Sequence, residues 1–155
     1  MPTMEFLFRL DQTVNMHGEK TTELVLRKVA DKVAARAGLD LVDFSVYPDV
    51  DHHPARYEYL FEFYHADHAA IDLAELSRIT DEELRAGNYD VDYMTEDGTF
   101  APATARVLQD ETNQLWRDMR VMHGKAPNQI KPVHIVDTEQ KRRFFFALID
   151  GEIEG

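Results

Sequence analysis

Val42-Asp43-Phe44-Ser45-Val46 and Tyr57-Glu58-Tyr59-Leu60-Phe61-Glu62-Phe63 are the two runs that decide the fold class. In the first, Val42, Phe44 and Val46 alternate with Asp43 and Ser45. In the second, Tyr57, Tyr59, Phe61 and Phe63 alternate with Glu58 and Glu62. Successive side chains of a strand point to opposite faces, so each run reads as a half-buried strand with an apolar side turned to a core. A polar stretch from Pro48 to Pro54 separates them, which predicts an antiparallel pair.

Working outward, Val25, Val29, Val33 and Ala37 recur every fourth residue with Leu26 beside them, predicting an amphipathic helix from about Thr21 to Ala37. Gly38 supplies the left-handed stop. Downstream, Ile71 to Ala86 reads as a helix closed by Gly87, with Thr80 and Glu83 spaced as a capping box that would break it near Thr80. Tyr89, Val91 and Tyr93 alternate as in a strand. Asp97-Gly98 marks a turn before a further strand around Ala103 to Leu108. Asp110 to Met122 reads as a helix ending near Gly124, Val133 to Val136 as a short strand, and Thr138 to Ile149 as a last helix. With a short strand at Glu5 to Leu10, the order is β-α-β-β-α-β-β-α-β-α. It predicts an α+β fold, helices packed on a mostly antiparallel sheet, in a single small domain.

Composition narrows the function classes. A chain of 155 residues buries a real core as one domain. Seventeen basic against 29 acidic residues leave a net charge of -12, a field that repels phosphate backbones and argues against nucleic-acid partners. No cysteine is present, so disulfides, thiolate catalysis and cysteine-based zinc sites are excluded. No apolar run approaches the ~20 residues of a membrane span, and the first residues lack a secretory pattern, so a cytoplasmic protein without membrane contact is expected.

The stretch richest in chemistry is Arg9-Leu10-Asp11-Gln12-Thr13-Val14-Asn15-Met16-His17-Gly18-Glu19-Lys20. It is polar, lies between a strand and a helix, and contains a glycine that tolerates hinge-like dihedrals. Lys20 precedes the helix, so its ammonium and the free amides of the helix N-terminus are candidates to face one anion. The residues themselves leave two readings open, an anion-binding hinge and a solvated connection.

The spacing Arg9-x-Asp11-x-x-x-Asn15-x-x-Gly18-x-Lys20 resembles the hinge motif of the adenylate-forming superfamily, which includes acyl-CoA synthetases and luciferases. Asn15-Met16-His17-Gly18-Glu19-Lys20-Thr21-Thr22-Glu23 is closer to one branch, the auxin-responsive acyl acid-amido synthetases of plants and their bacterial relatives. Asn128-Gln129-Ile130-Lys131-Pro132 is similar to that family's Asn-Gln-Tyr-Lys-Val-Pro segment, and Asn88-Tyr89 with Ala105-Arg106-Val107 resembles its Asn-x-x-Tyr stretch and the strand after it. The matches span almost the whole chain in order. Ile130 stands where the family has an aromatic residue, Pro132 follows the lysine at once, and the Asn-x-x-Tyr spacing is contracted. These departures leave substrate and acceptor open.

The resemblance implies a C-terminal lid domain: residues 1–20 form the N-terminal strand and hinge-like loop, and 21–155 the lid. It implies that Lys131 reaches the adenylate phosphate on closure, that Lys20 has a hinge or phosphate-binding role, and that Asp11 is the pivot with Arg9, Asn15 and Gly18 around it. ATP and Mg2+ would be bound mainly by an N-terminal adenylation domain, present in cis or trans. The complete enzyme would join a small carboxylic acid to an amine such as an amino acid, and the lid would not be active alone. A second reading, kept open by a start at Met1, is a non-catalytic stand-alone module derived from such a lid that docks on a partner protein. A third is an unrelated α+β ligand-binding domain.

Other signals are weaker. His52-His53 and His65-x-x-His68 invite a zinc reading, but polar loops explain them, and no metal site is assigned. The aromatic stripe of the second strand reads as core rather than as a base-stacking platform. Arg142-Arg143-Phe144-Phe145-Phe146 reads as helix packing. No phosphate loop of the Gly-x-x-x-x-Gly-Lys type and no Gly-x-Ser-x-Gly elbow is present.

Overall fold

The computed structural model describes residues 13–150. The strand expected at Glu5 to Leu10 and the hinge residues Arg9 and Asp11 lie outside the described residues. A two-residue hairpin pair opens the described chain, β1 (Thr13–Val14) and β2 (Thr21–Thr22), followed by α1 (Glu23–Ala37). Thr22 caps α1 by accepting the Val25 N–H, and Gly38 ends it in the left-handed conformation at φ 73°.

The main sheet has three strands, β3 (Leu41–Asp49), β4 (Arg56–Phe63) and β5 (Thr104–Val107), in the order β3-β4-β5. The α+β reading holds and the long β3–β4 pair is antiparallel, but β5 joins β4 in parallel, so the sheet is mixed. Between β4 and β5 lie α2 (Leu73–Gly87) and α3 (Tyr89–Glu96), a connection long enough for a parallel crossover. After β5 come α4 (Thr112–Met122) and α5 (Glu139–Phe146). The expected strand over Val133 to Val136 is reduced to one parallel bridge, Val46 to Ile135, on the outer edge of β3.

Helices cover both faces of the sheet. On one face Leu26, Val29 and Val33 of α1, Leu76, Ile79 and Leu84 of α2 and Val91 of α3 pack against Phe44, Val46, Tyr59, Phe61 and Phe63. On the other, Leu60 packs with Trp116 of α4, Phe145 of α5, Val133 and Val136. This second layer buries the β4 residues expected on the polar face: Glu58 is 2% exposed and Glu62 4%. Burying a carboxylate is costly unless it is paired. Glu58 is paired with Arg106 of β5 at 3.0 Å, and Glu62 accepts the N–H groups of Glu111 and Asn113 at the start of α4.

Two further expectations are corrected. Tyr89, Val91 and Tyr93 form a helix, α3, in which Val91 is buried and both tyrosines are exposed. Asn88 caps it by accepting the N–H groups of Asp90 and Val91, and acidic Asp90 and Asp92 favour the positive helix start. No break occurs near Thr80: it is buried in mid-helix, its hydroxyl donating to the Leu76 carbonyl at 2.8 Å.

Candidate functional site

The loop between β1 and β2 is closed on itself. Asn15 Oδ1 accepts the Gly18 N–H at 2.9 Å, and Gly18 takes φ 98°, a conformation natural only to glycine. Glu19, fully buried, accepts the N–H groups of Met16 at 3.0 Å and His17 at 2.8 Å. The Tyr57 hydroxyl donates to Glu19 Oε2 at 2.7 Å and lies 2.7 Å from the Thr21 hydroxyl. Burial raises the Tyr57 pKa well above the usual phenol value, and the Glu19 charge adds to it against the opposing Thr21 contact. Asn15 and Gly18 therefore shape a tight loop anchored by Glu19, a residue the sequence reading passed over.

Lys20 follows at the surface, just before β2. Its carbonyl accepts from Asn88 Nδ2 at 3.3 Å, while the same amide donates to the Thr21 hydroxyl at 2.8 Å. The resemblance had singled out Asn88 by its neighbour Tyr89. Its geometry shows why an amide belongs there: the oxygen caps α3 while the nitrogen ties that helix start to the Lys20 segment.

Lys131 lies on the segment that runs along β3. Arg117 of α4 holds the approach to it by donating to the carbonyls of Pro127 at 3.3 Å and Ile130 at 3.4 Å. Beyond Lys131, Val46 N–H donates to the His134 carbonyl at 2.9 Å and Val136 N–H to the Val46 carbonyl at 2.8 Å. Ser45 adds a hydroxyl bond to the Val133 carbonyl. Ile130 and Val133 are buried on either side, so the apolar residue in place of the family's aromatic acts as an anchor. Lys131 itself is exposed and borders two adjoining concavities of about 320 and 500 Å³ that share Trp116.

The two lysine segments meet at His134. Its imidazole is 4% exposed and lies flat on Phe44, 4.4 Å between centroids at an interplanar angle of 3°. Nδ1 faces Glu23 of α1 and Nε2 faces Asp43 of β3 at 2.9 Å. Arg27 approaches the same group, 4.0 Å from Asp43. Burial opposes the imidazolium, but the bonds from Asp43 and Glu23 outweigh it and hold the pKa above the ordinary value of 6.5. Lys20 precedes Glu23 by three residues, and Lys131 precedes His134 by three. Tertiary structure thus joins the segments, although Lys20 borders neither concavity that Lys131 lines.

Two of the four histidines in the zinc reading have other partners. His68 bridges Asp150 at 2.9 Å and Asp110 at 3.4 Å, and His52 Nδ1 lies 2.7 Å from the Pro54 carbonyl. Among the described residues no three or more His, Cys, Asp or Glu groups are placed to hold a metal, and no helix is long and apolar enough to cross a membrane.

The model of the GH3 family C-terminal domain matches residues 21–140. Among solved structures, one described as "GH3.15 acyl acid amido synthetase" superposes with a TM-score of 0.76 at 16% identity, over 88% of this chain and 26% of that one. Another, "AtGH3.15 acyl acid amido synthetase in complex with 2,4-DB", gives a TM-score of 0.68 at 19% identity, over 88% of this chain and 25% of that one. The chain therefore spans about a quarter of the length of these structures. Comparison with the curated proteins gives no match.

Proposed function

The chain belongs to the GH3 family, as its C-terminal domain, and on that premise we propose that it is the lid of an enzyme that activates a carboxylic acid with ATP and passes the acyl group to an amine. In the first step the carboxylate oxygen forms a bond to the α-phosphorus while the bond to pyrophosphate breaks, and pyrophosphate leaves with the electron pair. In the second the amine nitrogen forms a bond to the acyl carbon, the bond from that carbon to the phosphate oxygen of AMP breaks, AMP leaves with the electron pair, and the nitrogen releases a proton to solvent. ATP and Mg2+ belong mainly to an N-terminal adenylation domain, in cis or trans. The acid and amine, an amino acid in the favoured reading, enter there, in the cytoplasm.

The lid's own part is electrostatic. Negative charge grows on the phosphate oxygens during adenylation, and a lysine delivered as the site closes stabilises it where water has been excluded. Lys131 is the residue assigned to this role, with Lys20 at the hinge side. The observation that supports the reading is the bracing of the Lys131 segment: Lys131 and Pro132 are exposed between buried Ile130 and Val133, and the segment is fixed on both sides by Arg117, β3 and His134. Preorganisation of that kind is what a charge-stabilising group needs.

The test is pyrophosphate exchange in the complete two-domain protein carrying Lys131→Ala. We expect a loss of about 10²- to 10³-fold in adenylation rate, the usual cost of one such contact, with ATP affinity little changed. Exchange at the wild-type rate would remove Lys131 from the mechanism.

A further inference from the structure

Positive charge is distributed unevenly over this acidic chain. Several arginines are paired with carboxylates: Arg36 with Glu82 and Glu83, Arg78 with Glu75 and Glu82, Arg85 with Asp81, Asp92 and Glu96, and Arg56 with Asp49. The smaller concavity beside Lys131 is different. Arg120 from the end of α4, Lys125 from the following loop, Lys131 and Lys141 of α5 all line it, against the single carboxylate of Asp137. Asp137 is taken by Lys141 at 3.0 Å. Among the described residues no carboxylate is paired with Arg120 or Lys125. Arg120 lies over the ring of Trp116, 5.7 Å from its centroid, a contact that steadies the guanidinium without neutralising it.

We propose that this concavity binds a diphosphate group, with Arg120 and Lys125 as anion ligands alongside Lys131. Cations from separate segments around a volume of about 320 Å³ suit an anion whose charge extends over two linked phosphates. One carboxylate would engage only a part of them. Guanidinium and ammonium groups also divide the work: the planar fork of Arg120 bonds two oxygens at once, while Lys125 acts as a mobile point charge. Resting on the lid reading, the consequence is that the domain which brings Lys131 to the forming adenylate also holds the departing pyrophosphate. The same chemistry is offered by free pyrophosphate and by the terminal phosphates of ATP.

The 155-residue chain has one tryptophan, and it lies in this concavity. Trp116 fluorescence, backed by calorimetry, therefore reports binding directly. Titration with inorganic pyrophosphate at low ionic strength should give a saturable response, matched by ATP and much weaker with sulfate at equal ionic strength. Arg120→Gln and Lys125→Gln should each weaken it about tenfold, the size of one charge-assisted contact. Lys28→Gln with Lys32→Gln removes two exposed charges of α1 outside the concavity and should leave binding unchanged, with circular dichroism checking the fold of each variant. Absence of both fluorescence change and heat would overturn the site. So would sulfate binding as tightly as pyrophosphate, ATP binding without pyrophosphate, or equal weakening by the α1 pair. None of these outcomes bears on the Lys131 exchange assay, so failure here and failure of the lid reading are separable.

Discussion

The carboxylate of Glu23 and the imidazole of His134 hydrogen-bond across a sequence separation of 111 residues. With Asp43 on the other ring nitrogen, the contact closes a buried node between α1, β3 and the segment carrying Lys131. The imidazole thereby links the start of the first helix to the segment that carries Lys131.

That node makes stability depend on pH. The folded pKa of His134 is raised above 6.5, so its contribution is complete below the unfolded pKa and is lost as pH rises through the folded value. His134→Gln should cost about 1–3 kcal/mol near pH 6 and progressively less at higher pH. Urea midpoints of both proteins across this range measure it. A difference that does not change with pH would mean that His134 is not charged in the fold.

Glu62 should matter more than a polar strand residue ordinarily does. It is 4% exposed and accepts the N–H groups of Glu111 and Asn113 at 2.8 and 3.0 Å, with the Asn113 amide at 2.6 Å. Glu62→Ala strands those donors and should cost about 2–4 kcal/mol. Urea unfolding decides it, and a loss below about 0.5 kcal/mol, typical of an unimportant surface site, would refute the capping role.

Asn88→Ala removes the cap of α3 and the amide that holds Thr21 and the Lys20 carbonyl. We expect a cost of about 1–2 kcal/mol. Amide hydrogen exchange should accelerate at Asp90 and Val91 and also in the β1–β2 loop. Exchange that quickened in α3 alone would show that Asn88 does not couple the two.

Tyr57→Phe tests the anchoring of that loop. Losing the hydroxyl leaves buried Glu19 and Thr21 short of a partner, at a cost of about 1–3 kcal/mol. Because burial raises the phenol pKa, wild-type stability should also fall as the pH climbs above the ordinary tyrosine value of about 10. The phenylalanine variant should be less sensitive there, and equal alkaline sensitivity would assign the effect to other groups.

Much of the architecture was legible because its signals are local. The four-residue recurrence of Val25, Val29 and Val33 and the glycine at 38 mark α1, and the alternation from Tyr57 to Phe63 marks β4. The stretch at Tyr89 misled because an eight-residue helix with one buried side chain, Val91, satisfies a two-residue period as readily as a helical one. Asn88 followed by Asp90 and Asp92 was the signal that favoured a helix start.

For the candidate site, the resemblance marked Lys20, Asn88 and Lys131, whereas the buried roles of Glu19, Glu62 and His134 were not legible in the chain. Each of these three has at least one partner far away in sequence. Nothing adjacent to Glu62 announces that α4 will begin above it, and nothing near His134 announces Glu23 or Asp43. By itself the sequence determined the elements whose periodicity and end signals lie within a few residues. Only the tertiary structure decided that β5 runs parallel to β4, that helices cover both faces of the sheet, and which carboxylates are buried. Those outcomes depend on long-range packing and on pairing charges away from water, and neither is written in the residues next to them.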